Sequence, residues 1–269
     1  MLDLARRATR EGHTVAVMVN RGLMKTPLKG SESFHGARTS DVSAAVSTLL
    51  FGLGGEKLNS TKPKTQIVLV GFSMGGIIAA NYAAKSKEFS GLAGALSFSG
   101  TLCSEKMLLP CPSAAVSLSV WQPLLAWGLK ATIIKPNMPK FARRGLVAAD
   151  VEKCKTVLDI DADLVTKYHG YSDVKEYYGD MSAAGSGDER GMERLKGTKI
   201  PLLAVHAIDD PIAIYEVALP EKITETENVM LLATRHGGHI GWPKGILPSK
   251  NRWNFMMDVA MDFAAAVTA

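Results

Sequence analysis

The chain has 269 residues, 46% of them hydrophobic and 21% charged, with a formal net charge of +5 and a pI near 9.0. That length is ample to bury a core and suits one large α/β domain, with or without an insertion. The balance is that of a globular chain; with no basic run interleaved with aromatics it argues against a nucleic-acid partner, while mild basicity leaves peripheral contact with an anionic membrane surface open.

Residues 1–12 read as a short amphipathic helix, Leu2, Leu4 and Ala5 against Arg6, Arg7 and Arg10, without the apolar core of a signal peptide. Residues 14–19, TVAVMV, carry the pattern of a buried strand, which ends at the turn Asn20-Arg21-Gly22. Residues 23–38 are loop-like. Thr39-Ser40-Asp41 starts a helix whose periodicity runs through 42–50, and 52–64 is a polar Gly/Pro connection. A strand at 67–70, a helix at 77–84 and a strand at 92–98 follow. The alternation predicts a mostly parallel sheet with helices on both faces.

From 101 to 194 this rhythm fails. The stretch holds Pro110, Pro112, Pro123, Pro136 and Pro139 and irregular helical segments, and it is expected to form a mostly helical cap inserted between core segments 1–100 and 195–269. Its apolar run at 114–134 is broken by Gln122-Pro123 and Lys130, so it reads as a cap element and not a membrane span. Tyr177 and Tyr178 read as core packing. Strands return at 200–205 and 228–233, and residues 253–267 form a closing helix. Cys103, Cys111 and Cys154 lack metal-ligand spacing and read as free thiols of a reducing compartment. Asn59-Ser60-Thr61 matches the glycosylation triplet, a pattern common by chance.

The chemistry centres on Gly71-Phe72-Ser73-Met74-Gly75-Gly76, set between a strand and a helix. That context makes G-x-S-x-G a nucleophile elbow, with Ser73 strained and lifted above the sheet edge. A side chain at Gly71 or Gly75 is expected to collide where helix and strand cross. The Met74 N–H then points to where an oxyanion would form. A serine hydroxyl needs a base to take its proton, and in this fold the order is Ser, acid, His. All three loops lie on the carboxyl edge of a parallel sheet. Asp209 and Asp210 both follow the 200–205 strand. The small-x-x-Asp turn with Ala207 selects Asp210, Asp209 capping the turn, and the reverse assignment stays open. His239, after the flexible Gly237-Gly238, competes with His236 and is preferred as the base. His206 reads as a core histidine, and His13, His35 and His169 as surface or loop residues. No histidine spacing suggests a metal, and no cofactor is expected.

Taken together, Asn20-Arg21-Gly22, Thr26-Pro27, the elbow, Tyr177-Tyr178, Asp209-Asp210-Pro211 and Gly237-Gly238-His239-Ile240-Gly241 resemble, in this order, the YheT-like α/β-hydrolases. That branch includes membrane-associated abhydrolase-domain lipases and plant embryogenesis-associated relatives. The resemblance covers nearly the whole chain. It implies a serine hydrolase for carboxylic esters, of lipid or acylglycerol type, with Ser73 as nucleophile, Asp210 as acid and His239 as base. An acyltransferase on the same triad and an impaired fragment or binding scaffold are the alternatives. The resemblance also implies three further strands upstream and a His-Gly loop giving the second oxyanion N–H. This chain starts at the helix after that loop, so those strands, one of them between the 14–19 and 67–70 strands, are expected to be missing. A cytoplasmic or membrane-associated location is implied.

Overall fold

A computed structural model of the chain describes residues 2–30, 32–54, 65–86, 91–109, 112–243 and 253–269. The Asn59 triplet, most of the 52–64 connection, Pro110 and Cys111 lie outside the described residues. Among the described residues four strands, β1 (Val68–Phe72), β2 (Gly94–Phe98), β3 (Leu202–Ala207) and β4 (Val229–Thr234), form one sheet in the order β1-β2-β3-β4. Every pairing is parallel, with Val68 beside Gly94 and Leu202 beside Val229.

The α-helices among the described residues are α1 (Leu2–Arg10), α2 (Ser40–Leu49), α3 (Met74–Lys85), α4 (Pro112–Val116), α5 (Gln122–Leu129) and α6 (Lys135–Phe141), then α7 (Ala148–Lys153), α8 (Val157–Ile160), α9 (Thr166–His169), α10 (Val174–Met181), α11 (Glu189–Lys196) and α12 (Asn254–Thr268). The period-two alternation of a strand sends its side chains to both faces. Val70, Leu96, Phe98 and Val205 pack under α12 through Met256 and Phe263, with Leu4 of α1 alongside. Ala95, Leu202 and Ala204 face the other way, against Ala80 and Ala84 of α3 and Leu195 of α11. The parallel sheet with helices on both sides agrees with the sequence.

The 14–19 run does not form a strand. Its backbone joins no ladder, and Val15, Val17, Met18 and Val19 are each at least 40% exposed. An apolar β-branched run becomes a strand only where a neighbour takes up its N–H and C=O groups. Among the described residues β1 is an edge of the sheet and pairs only with β2.

Residues 112–144 form one continuous helical run. Two wide π-turns, Ser117–Trp121 and Lys130–Ile134, interrupt it. Each lies just before a proline, Pro123 or Pro136, that lacks the N–H an α-turn would need. This run buries Ala126, Ile134 and Phe141 against Val151, Ile160 and Leu28. Beyond it, α10 packs on the start of α3 through Tyr177 and Met181. Tyr177 and Tyr178 are buried, and their hydroxyls are also used: Tyr177 accepts the Gly36 N–H at 3.0 Å, and Tyr178 donates to Asp161 at 3.0 Å. His35, in a loop, and His169, at the end of α9, are half-buried against each other and do not stand free on the surface. Their ring centres lie 4.1 Å apart, tilted by 36°, and His169 Nε2 meets Ser33 Oγ at 3.0 Å. Burial first, then the neighbouring His169 and Arg38, pushes the His35 pKa down to about 3, and burial followed by the Arg38 guanidinium pushes that of His169 down to about 4. Cys103 and Cys154 are buried free thiols.

Candidate active site

Ser73 is the single residue between β1 and α3, at φ 52° and ψ −122°. A residue with a Cβ enters that region only where its surroundings force it. Here the Ser73 N–H donates to the Phe98 carbonyl at 2.9 Å and the Ser73 carbonyl accepts the Ile77 N–H at 3.0 Å. A Cβ on Gly71 would sit 2.1 Å from the Gly75 carbonyl oxygen, so strand and helix meet backbone to backbone. The collision expected at Gly75 is not there, because that position opens into free space. It is the next residue, Gly76, that α3 turns toward β2, where a Cβ would lie 2.8 Å from Ser97 Oγ. Met74 is the first residue of α3, so its N–H is one of the four a helix leaves without an internal acceptor, at the positive end of the helix.

Asp210 lies in the loop after β3, its side chain fully buried. Its Oδ1 accepts the N–H groups of Ile212 at 2.9 Å and Ala213 at 3.0 Å. His239, in the loop after β4, places Nδ1 2.9 Å from Asp210 Oδ2 and Nε2 2.9 Å from Ser73 Oγ. Burial alone would raise the Asp210 carboxyl. The hydrogen bond and charge of His239 and the two backbone N–H groups outweigh it and hold the carboxyl below its ordinary value. An ionised carboxylate only accepts, so Nδ1 carries the imidazole proton and Nε2 faces the Ser73 hydroxyl as acceptor.

The neighbouring pair has a different job. Asp209 Oδ1 accepts the N–H groups of Gly237 and Gly238, both at 2.9 Å, and Oδ2 meets Nδ1 of the exposed His236 at 3.2 Å. Asp209 therefore ties down the backbone that delivers His239. Two further side chains pin the same loop. Ser99, at the end of β2 with φ 47°, accepts the Ile240 N–H at 3.3 Å. The Trp242 indole donates to Thr234 Oγ1 at 2.7 Å and fills the space where a Gly237 Cβ would be, 2.3 Å from Nε1. Sequence reasoning passed over Ser99 and Trp242. Ser99 has no motif, and only the closeness of indole and backbone reveals why residue 237 is glycine.

All four strands thus end at the site. His206, at the end of β3, is buried beneath it, with Nε2 donating to the Ala213 carbonyl at 2.8 Å. The helical run touches the loop that carries Asp210: Ser117 Oγ donates to the Ile212 carbonyl at 3.0 Å, and Ala114 packs on Ala213 and Ile214. Among the described residues no group of three or more His, Cys, Asp or Glu side chains could hold a metal ion.

A family model described as serine aminopeptidase, S33, matches residues 1–226. The chain belongs to that family. It is an α/β-hydrolase superfamily member, and similar solved structures have the same fold. A monoacylglycerol lipase from Paleococcus ferrophilus superposes with a TM-score of 0.52 at 16% identity, over 98% of this chain and 88% of its own. An esterase from Exiguobacterium antarcticum gives a TM-score of 0.50 at 15% identity, over 97% and 85%. Among curated relatives, human monoacylglycerol lipase ABHD2 is 27% identical over 244 residues, 81% of this chain and 52% of that protein. Human phospholipase ABHD3 is 25% identical over 249 residues, 90% and 54%. The chain spans about half the length of the curated relatives it matches.

Proposed function

We propose that this chain is a serine hydrolase that cleaves carboxylic esters of lipid or acylglycerol type through an acyl-enzyme on Ser73. The observation that carries the reading is the hydrogen-bonded series Asp210–His239–Ser73, with the serine held in a strained turn at a helix N-terminus. The lipase and phospholipase names of the relatives support the substrate class.

In this mechanism the ester carbonyl lies over Ser73 with its oxygen toward the Met74 N–H. Ser73 Oγ attacks the carbonyl carbon as His239 Nε2 takes its proton. The negative charge that develops on the carbonyl oxygen is met by the Met74 N–H and the N-terminal end of α3. Asp210 keeps His239 in the productive tautomer and stabilises the imidazolium. His239 then returns the proton to the departing alcohol, and the acyl group stays on Ser73. A water molecule, deprotonated by the same nitrogen, attacks the acyl-enzyme and releases the acid. Residues 101–194 serve as the cap, with the α10 end over the elbow and the α4 end against the acid loop.

The test is hydrolysis of a short-chain nitrophenyl ester and of a monoacylglycerol, with and without Ser73→Ala. Turnover should fall by about 10⁴-fold or more in the variant. A fluorophosphonate should label the parent chain at Ser73 and leave the variant unlabelled. Esterase activity retained in Ser73→Ala, or labelling at another residue, would reject the mechanism.

A further inference from the structure

The helical run 112–144 is turned inside out relative to an ordinary surface helix. Its inner side is held by the protein: Ser117, Gln122, Ala126 and Ile134 are buried, and Gln122 Oε1 accepts the Leu158 N–H at 3.1 Å. Its outer side is apolar. Val116, Val120, Leu124 and Trp127, three or four residues apart, are each more than half exposed, Trp127 at 72%, and Trp121 and Leu125 flank them. A helix facing water presents polar residues there, and an aligned apolar stripe marks a surface meant to be covered.

Charge says what covers it. Residues 112–129 carry no charge at all; the first charged residue is Lys130, followed by Lys135, Lys140, Arg143 and Arg144. Lys130 donates to the Cys154 carbonyl, Lys135 pairs with Glu152 and Arg144 with Glu32, so Lys140 and Arg143 are the cations of this segment offered to a partner. Residues 112–155 hold seven Lys and Arg against two Asp and Glu, an excess that equals the whole chain's formal charge of +5. An apolar stripe with tryptophans, continued by a basic segment, suits the boundary between acyl chains and anionic headgroups. A second copy of the chain paired face to face would bring no acidic partner to that basic end.

We propose that the outer face of residues 112–144 docks on an anionic lipid–water interface, with the stripe from Val116 to Trp127 in the acyl boundary and Lys140 and Arg143 on the headgroups. The buried inner side means that the run lies on the membrane while remaining part of the fold. Docking puts the interface beside the candidate site, since the same run bonds Ile212 and packs on Ala213, two and three residues from Asp210. The docking rests on this face alone; that it delivers substrate to Ser73 rests on the ester-hydrolase reading.

The experiment is vesicle flotation of the full chain carrying Ser73→Ala, with phosphatidylcholine vesicles and with vesicles that also contain phosphatidylserine. The protein should float with the anionic vesicles, with a blue shift of tryptophan emission, and dissociate as salt rises. Leu124→Ser with Trp127→Ser should weaken flotation about tenfold or more at unchanged melting temperature, since both side chains are exposed. Lys140→Glu with Arg143→Glu should weaken binding to the anionic vesicles alone. Failure to float with either vesicle, flotation indifferent to the serine pair, or a dimer in sedimentation velocity that the serine pair dissolves would each overturn the proposal. A chain with Ser73 intact that docks but cleaves no ester sinks the hydrolase reading and leaves docking standing. One that cleaves a soluble ester but never floats does the reverse.

Discussion

Replacing Asp210 with asparagine should abolish activity through a proton on the wrong nitrogen. Oδ1 accepts two backbone N–H groups, from Ile212 and Ala213, and lies 3.1 Å from His239 Nδ1, while Oδ2, with no other donor among the described residues, is the nearer partner of that nitrogen at 2.9 Å. Asparagine has one oxygen. Turning its NH₂ toward the two N–H groups would leave both without an acceptor, at ~1–3 kcal/mol each. The amide oxygen therefore stays with the backbone pair, and the NH₂ takes the place of Oδ2. It donates to Nδ1, so the imidazole proton moves to Nε2 and points at Ser73 Oγ. A base that already holds its proton cannot take another. The analogous substitution in serine proteases costs about 10⁴ in kcat, or about 5–6 kcal/mol of barrier. Initial rates on a short-chain ester measure it, with melting temperature as the control for folding. Asp209→Asn keeps an oxygen for Gly237 and Gly238 and loses only its charge beside the exposed His236, so its rate should fall less than about tenfold. A tenth of parental turnover in Asp210→Asn, or a greater loss in Asp209→Asn, would refute the assignment of the two carboxylates.

Gly71→Ala should cost about 3 kcal/mol or more, because the added carbon would meet backbone at 2.1 Å and not a movable side chain. Gly75→Ala, in open space two residues past Ser73, should be neutral or stabilising by up to ~1 kcal/mol; thermal melts that rank the two alike would contradict the described crossing. Asp161 is buried with the Tyr178 hydroxyl as donor, and burial pushes its carboxyl up to about 7. Unfolded, it titrates near 4, so the folded chain keeps a proton that the unfolded chain sheds. The resulting stability is complete below about pH 4, falls as pH rises from there, and is gone once pH has passed about 7. Asp161→Asn cannot ionise, so the melting temperature of the parent should fall relative to the variant between about pH 4 and 7 and run parallel to it above that; profiles parallel throughout would refute the shift.

The strand–elbow–helix and the parallel sheet were legible because they rest on local signals: a β-branched run, a glycine at the crossing, an alanine-rich helix. The His239 loop was legible for the same reason, its glycines marking a bend. Three features were not. The 14–19 run has the composition of β1 but joins no ladder among the described residues, and composition cannot supply a partner. Gly75 and Gly76 look alike in sequence, yet only the helix's rotation decides which one meets β2. His35 and His169 are joined across more than 130 residues of chain, and nothing near either of them announces the other.

The Ser73–His239 contact closes a loop of 166 residues, and the Ile240–Ser99 contact one of 141. Neither can form before β4 has docked on β3 and β3 on β2. Local helices and the β1–α3 crossing can appear early at little cost in chain entropy, but the hydrogen-bonded series cannot. The series is therefore the last thing a folding chain acquires and the first that partial opening from the β4 side removes. On the proposed mechanism, a half-folded population would retain most of its helix and show no reactive serine, so labelling of Ser73 would measure completed topology.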